Sequence, residues 1–218
     1  FEKSKTLGKH IVLPEGNDDR TIEAAVEVSA KSIAKLTLLG NAEEIREKLT
    51  AKGADMSNIT VINPAESEKT KDYAEQFYQL RKDKGMTPDK ALDFVKGVMY
   101  YGMMMVKTGD ADGFVAGAVH SSADTIRPAL QIIKCAPGVK TVSSMFFMCR
   151  GETTLLFSDC GLNLNPTPEQ LADITLSTAN TAKSFDILPK IAMLSYSTKG
   201  SGLGVDVDAA QNATALAT

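Results

Sequence analysis

Residues 111–134 read ADGFVAGAVHSSADTIRPALQIIK, and the way this stretch divides decides the fold. ADGFVAG has the length and apolar character of a strand, and the residues after the serines have those of an apolar helix. Pro128 has no N–H, and deep in a helix its ring clashes with the carbonyl four residues back. Regular helix is therefore expected no earlier than Asp124 or Thr125, which leaves Ser121 and Ser122 in the loop and puts Arg127 in the first turn. Free N–H groups, hydroxyls and a guanidinium at one helix start suit a phosphate or a carboxylate. The same residues also serve as plain caps, with Arg127 paired to a surface carboxylate. This stretch by itself leaves both readings open.

Working outward, HIVLPEG gives a strand from His10 to Leu13, broken by Pro14 and Gly16. Asn17, Asp18 or Asp19 then caps a helix with Ile22, Ala25, Val26 and Ser29 on one face. KLTLLGN is a second strand, a helix follows from Ala42, and ITVINP is a third strand. One helix is expected near Ser67 to Lys82. Another runs from Thr87 onward, where Leu92, Val95, Met99, Met103 and Val106 keep helical spacing. ADGFVAG is the fourth strand. Past Gly138 the pattern changes: VKTVSSMFFM and TTLLFSD are adjacent strands with no helix between. A helix from Pro168 to Phe185, a strand KIAMLSYS and a last partial helix complete the chain. Alternating strands and helices predict an α/β protein, three-layer α/β/α with a mostly parallel sheet covered on both faces. The change near Gly138 marks a boundary between a first α/β domain, 1–138, and a partial second one, 139–218.

The 218 residues suffice for one large domain or two smaller ones, each able to bury a core. A net charge of −3 with a pI near 5.5 gives no reason to expect nucleic acid or an anionic membrane as partner. The longest apolar run, Gly97 to Val106, is too short to cross a bilayer, and the polar start is unlike a secretory leader. Three cysteines, Cys135, Cys149 and Cys160, with no C-x-x-C spacing, argue against a disulfide framework or a zinc site and fit a reducing cytoplasm. A start at Phe1 and an end inside NATALAT, with no C-cap, lead us to expect a fragment of a longer chain.

Ligands in open parallel sheets collect at the carboxyl ends of strands. Four such ends are rich in polar residues: PEGND, GAVHSSADT, SDCGLNLNPT and SYSTKGSG. In the last, glycines allow close backbone approach while Ser197, Thr198 and Lys199 supply donors. The spacing is not that of a Walker A loop, and such a cluster also marks an ordinary turn. His10 opens a strand and reads as structural, whereas His120 lies inside the hydroxyl loop, within reach of a ligand there. Neither has a Cys or His partner at metal spacing. Met103, Met104 and Met105 read as core, and nothing local marks Cys160 as an activated thiolate. LRKDKG reads as a solvated helix end.

Together IVLPEGNDDRTIEAA, FYQLRKDKG, DGFVAGAVHSSADTIRPALQIIK, FSDCGLNLNPTPEQLADI and PKIAMLSYSTKGSG resemble the phosphate acetyltransferases, or phosphotransacetylases, in order and spacing from Lys9 to Gly204. The resemblance implies reversible transfer of an acetyl group, acetyl-CoA plus phosphate giving acetyl phosphate plus CoA. CoA and acetyl-CoA are then substrates, and neither a metal nor a redox cofactor takes part. It also implies an isocitrate/isopropylmalate dehydrogenase-like fold, two α/β domains flanking a cleft with the second incomplete here, in a cytoplasmic homodimer. Ser121, Ser122, Asp124, Thr125 and Arg127 match the family's cleft segment for phosphate or acetyl phosphate. Arg81 matches a cleft arginine on the CoA or phosphate side, and Ser197, Thr198, Lys199 and Gly200 match the segment facing them.

One departure stands out. The family carries a C-terminal Asn-Asp-Leu-Ser-Arg segment whose Ser, Arg and following Asp serve as transition-state stabiliser, anion binder and thiol base. Nothing after Gly204 resembles it, so the catalytic residues are expected outside this sequence and the chain is expected to be inactive, or nearly so, alone. Phosphate butyryltransferase is one alternative. A non-catalytic acetyl-CoA-binding regulatory domain, like those attached to some malic enzymes, is another. A nicotinamide dehydrogenase shares only the fold and lacks the dinucleotide fingerprint.

Overall fold

Four short strands, β1 (His10–Leu13), β2 (Lys35–Leu39), β3 (Ile59–Ile62) and β4 (Gly113–Phe114), form a parallel sheet in the order β3-β2-β1-β4. The register sets Val12 beside both Thr37 and Phe114, and Leu38 beside Val61. The computed structural model describes residues 1–198 and 201–218. They divide into two units, Phe1–Lys134, which holds this sheet, and Cys135–Thr218. The division thus falls a few residues before Gly138.

Side chains on a strand alternate between faces, and the apolar residues of the sheet use both. Ile11, Leu13, Leu36, Leu38, Ile59 and Val61 join Ile22 and Ala25 of α2 (Asp19–Ala30) and Ile45 and Leu49 of α3 (Ala42–Ala51). On the other face, Val12 and Leu39 meet α4 (Thr70–Arg81), α5 (Pro88–Val95), α6 (Val98–Thr108) and α7 (Ser122–Ile132). Phe77, Tyr101, Met103, Met104, Met105 and Ile132 are buried there, the larger of them worth about 1.5–3 kcal/mol each. The first unit is therefore three layers, α/β/α. A short helix at the start, α1 (Glu2–Leu7), buries no side chain, which is why no apolar periodicity announces it.

The single helix expected from Thr87 onward is two. Gly97, at φ −83° and ψ 141°, is extended and caps α6 after α5 has ended at Val95. The break reorients α6 so that Gly102 lies flat on the sheet. A Cβ there would stand 2.7 Å from Phe114 Cε2 and 3.0 Å from Val12 Cγ1.

In the second unit β5 (Met145–Arg150) and β6 (Thr153–Ser158) pair antiparallel, followed by α8 (Pro168–Ser184) and α9 (Val205–Ala217). Thr167 and Gln170 form a reciprocal capping box on α8. α8 and α9 pack together and bury Ala172, Ile174, Ala182, Val207 and Ala213. The strand expected at KIAMLSYS is not formed among the described residues, and Ile191, Leu194 and Tyr196 are more than half exposed. A strand has no hydrogen bonds of its own, so an apolar run without a neighbouring edge stays irregular.

Candidate functional site

The sheet order reverses between β1 and β4, so their carboxyl ends open onto one crevice, the usual ligand position in such sheets. From β1 comes Glu15, whose side chain is only 3% exposed. From β4 comes the loop 115–121. Glu15 Oε2 accepts the N–H groups of Gly117 (2.8 Å) and Ala118 (2.7 Å). Its Oε1 accepts those of Val119 (2.8 Å) and His120 (2.7 Å), and the His120 ring at Nδ1 (2.9 Å). Gly117, at φ 112°, takes the turn that aims four successive amides at one centre, an anion nest. Burial alone would raise the Glu15 carboxyl. The bonds from His120, Val119 and Ala118 outweigh it and hold the group at about 2. An ionised carboxylate can only accept, so the His120 proton sits on Nδ1. The anion held by the backbone of this loop is thus the protein's own.

The helix after the loop begins earlier than Pro128 suggests. Ser121 is the N-cap and α7 starts at Ser122, which removes Ser122 from the loop and places Arg127 in the second turn. The cap explains the early start. Ser121 Oγ accepts the Asp124 N–H (3.2 Å) and donates to Asp124 Oδ2 (2.7 Å), while Thr125 Oγ1 donates to the Ser121 carbonyl (3.2 Å). Pro128 lies inside the helix with its ring buried, and that burial offsets the absent N–H. The hydroxyls of Ser121 and Thr125 are therefore engaged in capping. Arg127, a turn away from the positive end of the helix, acts through its own charge.

Arg127 and Arg81 both act electrostatically on Tyr100. The first turn of α4 is anchored near the start of β1, since Lys69 Nζ pairs with Asp110 Oδ1 (2.6 Å) and the Asp110 carbonyl contacts His10 Nδ1 (2.8 Å). Twelve residues of helix carry Arg81 roughly 18 Å from that anchor. The Tyr100 hydroxyl donates to Gln131 Oε1 (3.1 Å). Burial pushes its phenol up, the charges of Arg127 and Arg81 pull it down, and Asp124 raises it. Both guanidiniums thus act on one hydroxyl. Among the described residues neither has an ion-pair partner, and Arg81 Nε is buried without an acceptor. Two cations with an unmet buried N–H are what a multi-oxygen anion satisfies.

Of the sequence-predicted residues, the charges of Arg81, Asp124 and Arg127 all bear on Tyr100. Ser121 and Thr125 cap α7, and Ser122 is exposed at its first position. Ser197 and Thr198 belong to the second unit, where the Ser201 N–H (2.8 Å) and Ser197 Oγ (2.9 Å) both donate to the Thr198 carbonyl. Lys199 and Gly200 lie outside the described residues. Sequence reasoning missed Glu15, Tyr100 and Gln131. Only a place at a strand end singles out Glu15, and Tyr100 sits in an apolar run that reads as core. The Cys160 thiol donates to Ser144 Oγ (3.2 Å), which donates to Asp159 (2.5 Å), so it belongs to a loop-closing network.

Comparison with known proteins bears on the whole chain. The family model for phosphate acetyl/butaryl transferase matches residues 1–218. A phosphate acetyltransferase of Thermoanaerobacterium thermosaccharolyticum is 50% identical over 224 residues, covering 100% of this chain and 68% of that protein. One from Synechocystis is 48% identical, covering 96% of this chain and 30% of its own length. The crystal structure of a phosphotransacetylase from Streptococcus pyogenes superposes with a TM-score of 0.91 at 45% identity, over 99% of this chain and 66% of that one. The chain thus spans about two thirds of two of these relatives and under a third of the other. Over that span, it belongs to the phosphate acetyl/butaryl transferase family.

Proposed function

We propose that this chain takes part in acetyl transfer between CoA and phosphate, acetyl-CoA plus phosphate giving acetyl phosphate plus CoA. The observation that carries the reading is the buried, unpartnered Nε of Arg81, together with a second arginine, Arg127, whose charge acts on the same Tyr100; among the described residues no carboxylate is paired to either. A phosphate held by both guanidiniums presents one oxygen to the thioester carbonyl carbon. As the C–O bond forms, the carbonyl oxygen gains negative charge. The C–S bond then breaks, CoA leaves as a thiolate and takes up a proton. Arginines serve twice here, fixing the nucleophile and lowering the cost of anionic charge. The acetyl group moves from sulfur to oxygen with no change in oxidation state, so the reaction needs no redox cofactor, and the proposed charge stabilisation rests on the arginines. Ser197, Thr198, Lys199 and Gly200 complete the proposed substrate-binding set.

The relatives' names, phosphate acetyltransferase, support acetyl over butyryl. We place the protein in the cytoplasm, supported by three free thiols. We also propose a homodimer, supported by the β5–β6 hairpin, on which Phe146, Leu155 and Phe157 are more than half exposed. Thioester formation from acetyl phosphate and CoA, followed by absorbance, tests the reaction on the 218 residues and on the complete gene product. Turnover by the complete product supports it. A complete product that binds acetyl-CoA and turns nothing over refutes it and favours a regulatory acetyl-CoA-binding domain.

A further inference from the structure

We propose that Glu15 is a positioning residue of the transfer site, an inference that rests on the reaction proposed above. Its carboxylate holds the loop 117–120, and through it the cap and axis of the helix that presents Arg127. The line of support is continuous. Gly16 donates to the Leu39 carbonyl (3.0 Å) and sits so close that a Cβ would stand 2.8 Å from that oxygen, which fixes Glu15 to the end of β2. Glu15 then takes four consecutive amides and the His120 ring. The next residue is Ser121, the N-cap of α7.

Apolar packing does not hold this loop, since Val115 and Val119 are 60% and 66% exposed. Apart from Glu15, the loop is tied by Arg20, which donates to the Ala118 carbonyl and is itself held by Asp18. Burying a carboxylate is costly unless its lone pairs are filled. Here five donors fill them, all but one from the backbone, so the bond energy goes into fixing the path of the chain. A carboxylate spent this way orients groups beside the crevice without touching substrate.

The test uses Glu15→Ala and Glu15→Gln in the complete gene product, beside the wild type. A wild type without transfer activity would refute the reaction itself and not this role. With an active wild type, Glu15→Ala is expected to keep the wild-type circular dichroism and lose about 100-fold in kcat, the scale of an ångström-sized misplacement. Formate, a free carboxylate small enough for the emptied nest, should recover much of that loss and slow amide exchange at 117–120. Formamide should do neither, and formate should leave the wild type unchanged. Glu15→Gln, which keeps the shape but turns an NH2 toward amide donors, should lose activity and gain nothing from formate. Wild-type kcat and phosphate KM in both variants would overturn the proposal. So would a loss in Glu15→Ala that formate does not restore, or that formamide restores equally. Failure of both variants to fold would overturn it too, by making the carboxylate a requirement of folding.

Discussion

Acidification should unlock the loop at the end of β4 in a narrow pH window, and the size of the effect follows from Glu15. Its carboxyl falls from an ordinary 4.5 to about 2 in the folded chain. At about 1.4 kcal/mol per pH unit this is about 3 kcal/mol of stability. The side chain is 3% exposed, so solvent screening removes little of it. Between these values the unfolded chain binds more protons than the folded one, so the contribution is full above pH 4.5 and is lost as the pH falls toward 2. Asp110 and Asp159 are also held low, by Lys69 and Tyr73 in one case and by Ser144 and Asn163 in the other. The wild-type acid limb is therefore shared, and the difference between wild type and Glu15→Gln isolates one group. Urea unfolding read by pulsed hydrogen exchange on peptides of residues 1–134 should show a gap at pH 7 that shrinks by about 3 kcal/mol as the pH approaches 2. A gap of equal size at both ends would refute the assignment of this stability to an ionised, amide-bound carboxylate.

Other changes separate the site from the scaffold. Arg127→Ala in the complete gene product should raise phosphate KM or lower kcat by about 10- to 100-fold, the worth of a charged hydrogen bond; unchanged phosphate kinetics would remove the anion reading. Gly102→Ala should cost about 1–3 kcal/mol through overpacking against Phe114 and Val12, read as a lower Tm, and an unchanged Tm would mean that α6 can slide on the sheet. Tyr73→Phe removes the 2.5 Å bond to Asp110 and should cost about 1–2 kcal/mol without altering phosphate KM, so a change in KM would join that network to the site. Cys160→Ser should keep most activity, because its thiol only donates to Ser144; complete loss with an intact fold would show a chemical role.

Most of the first unit is legible in the sequence because its signals are local. Short apolar runs in HIVL, KLTLL and ITVI, each closed by Pro, Gly or Asn, with a cap among Asn17, Asp18 and Asp19, are enough to place β1 to β3 and the helices after them. The misses are tertiary. Gly97 sits within an unbroken helical spacing, and only the demand that Gly102 reach the sheet divides the helix. Pro128 gives a correct rule about an N–H, yet the Ser121–Asp124 cap and the burial of the ring override it. KIAMLSYS has the composition of a strand, but composition does not supply the partner edge. At the site, arginines announce themselves and the carboxylate does not. Glu15 and the amides it binds are about a hundred residues apart, and backbone amides carry no residue type to read.

The two ends of the sheet treat a carboxylate in opposite ways. At the start of β1, Asp110 is matched by Lys69, with Tyr73 and Thr108 donating as well. A cation is consumed there, and the result is a closed structural network. At the carboxyl end of β1, Glu15 is satisfied almost wholly by neutral amides. The one guanidinium at that loop, Arg20, binds the Ala118 carbonyl and is paired with Asp18, and none of the five bonds to Glu15 comes from Arg127, which lies on the helix that the loop caps. Had Glu15 been neutralised by Arg127, the crevice would hold an internal ion pair and little positive charge to offer a phosphate. With the carboxylate filled by backbone donors, Arg81 and Arg127 have no ion-pair partner among the described residues. The nest therefore fixes the loop, and on the reaction proposed above it also leaves the two cations for the phosphate.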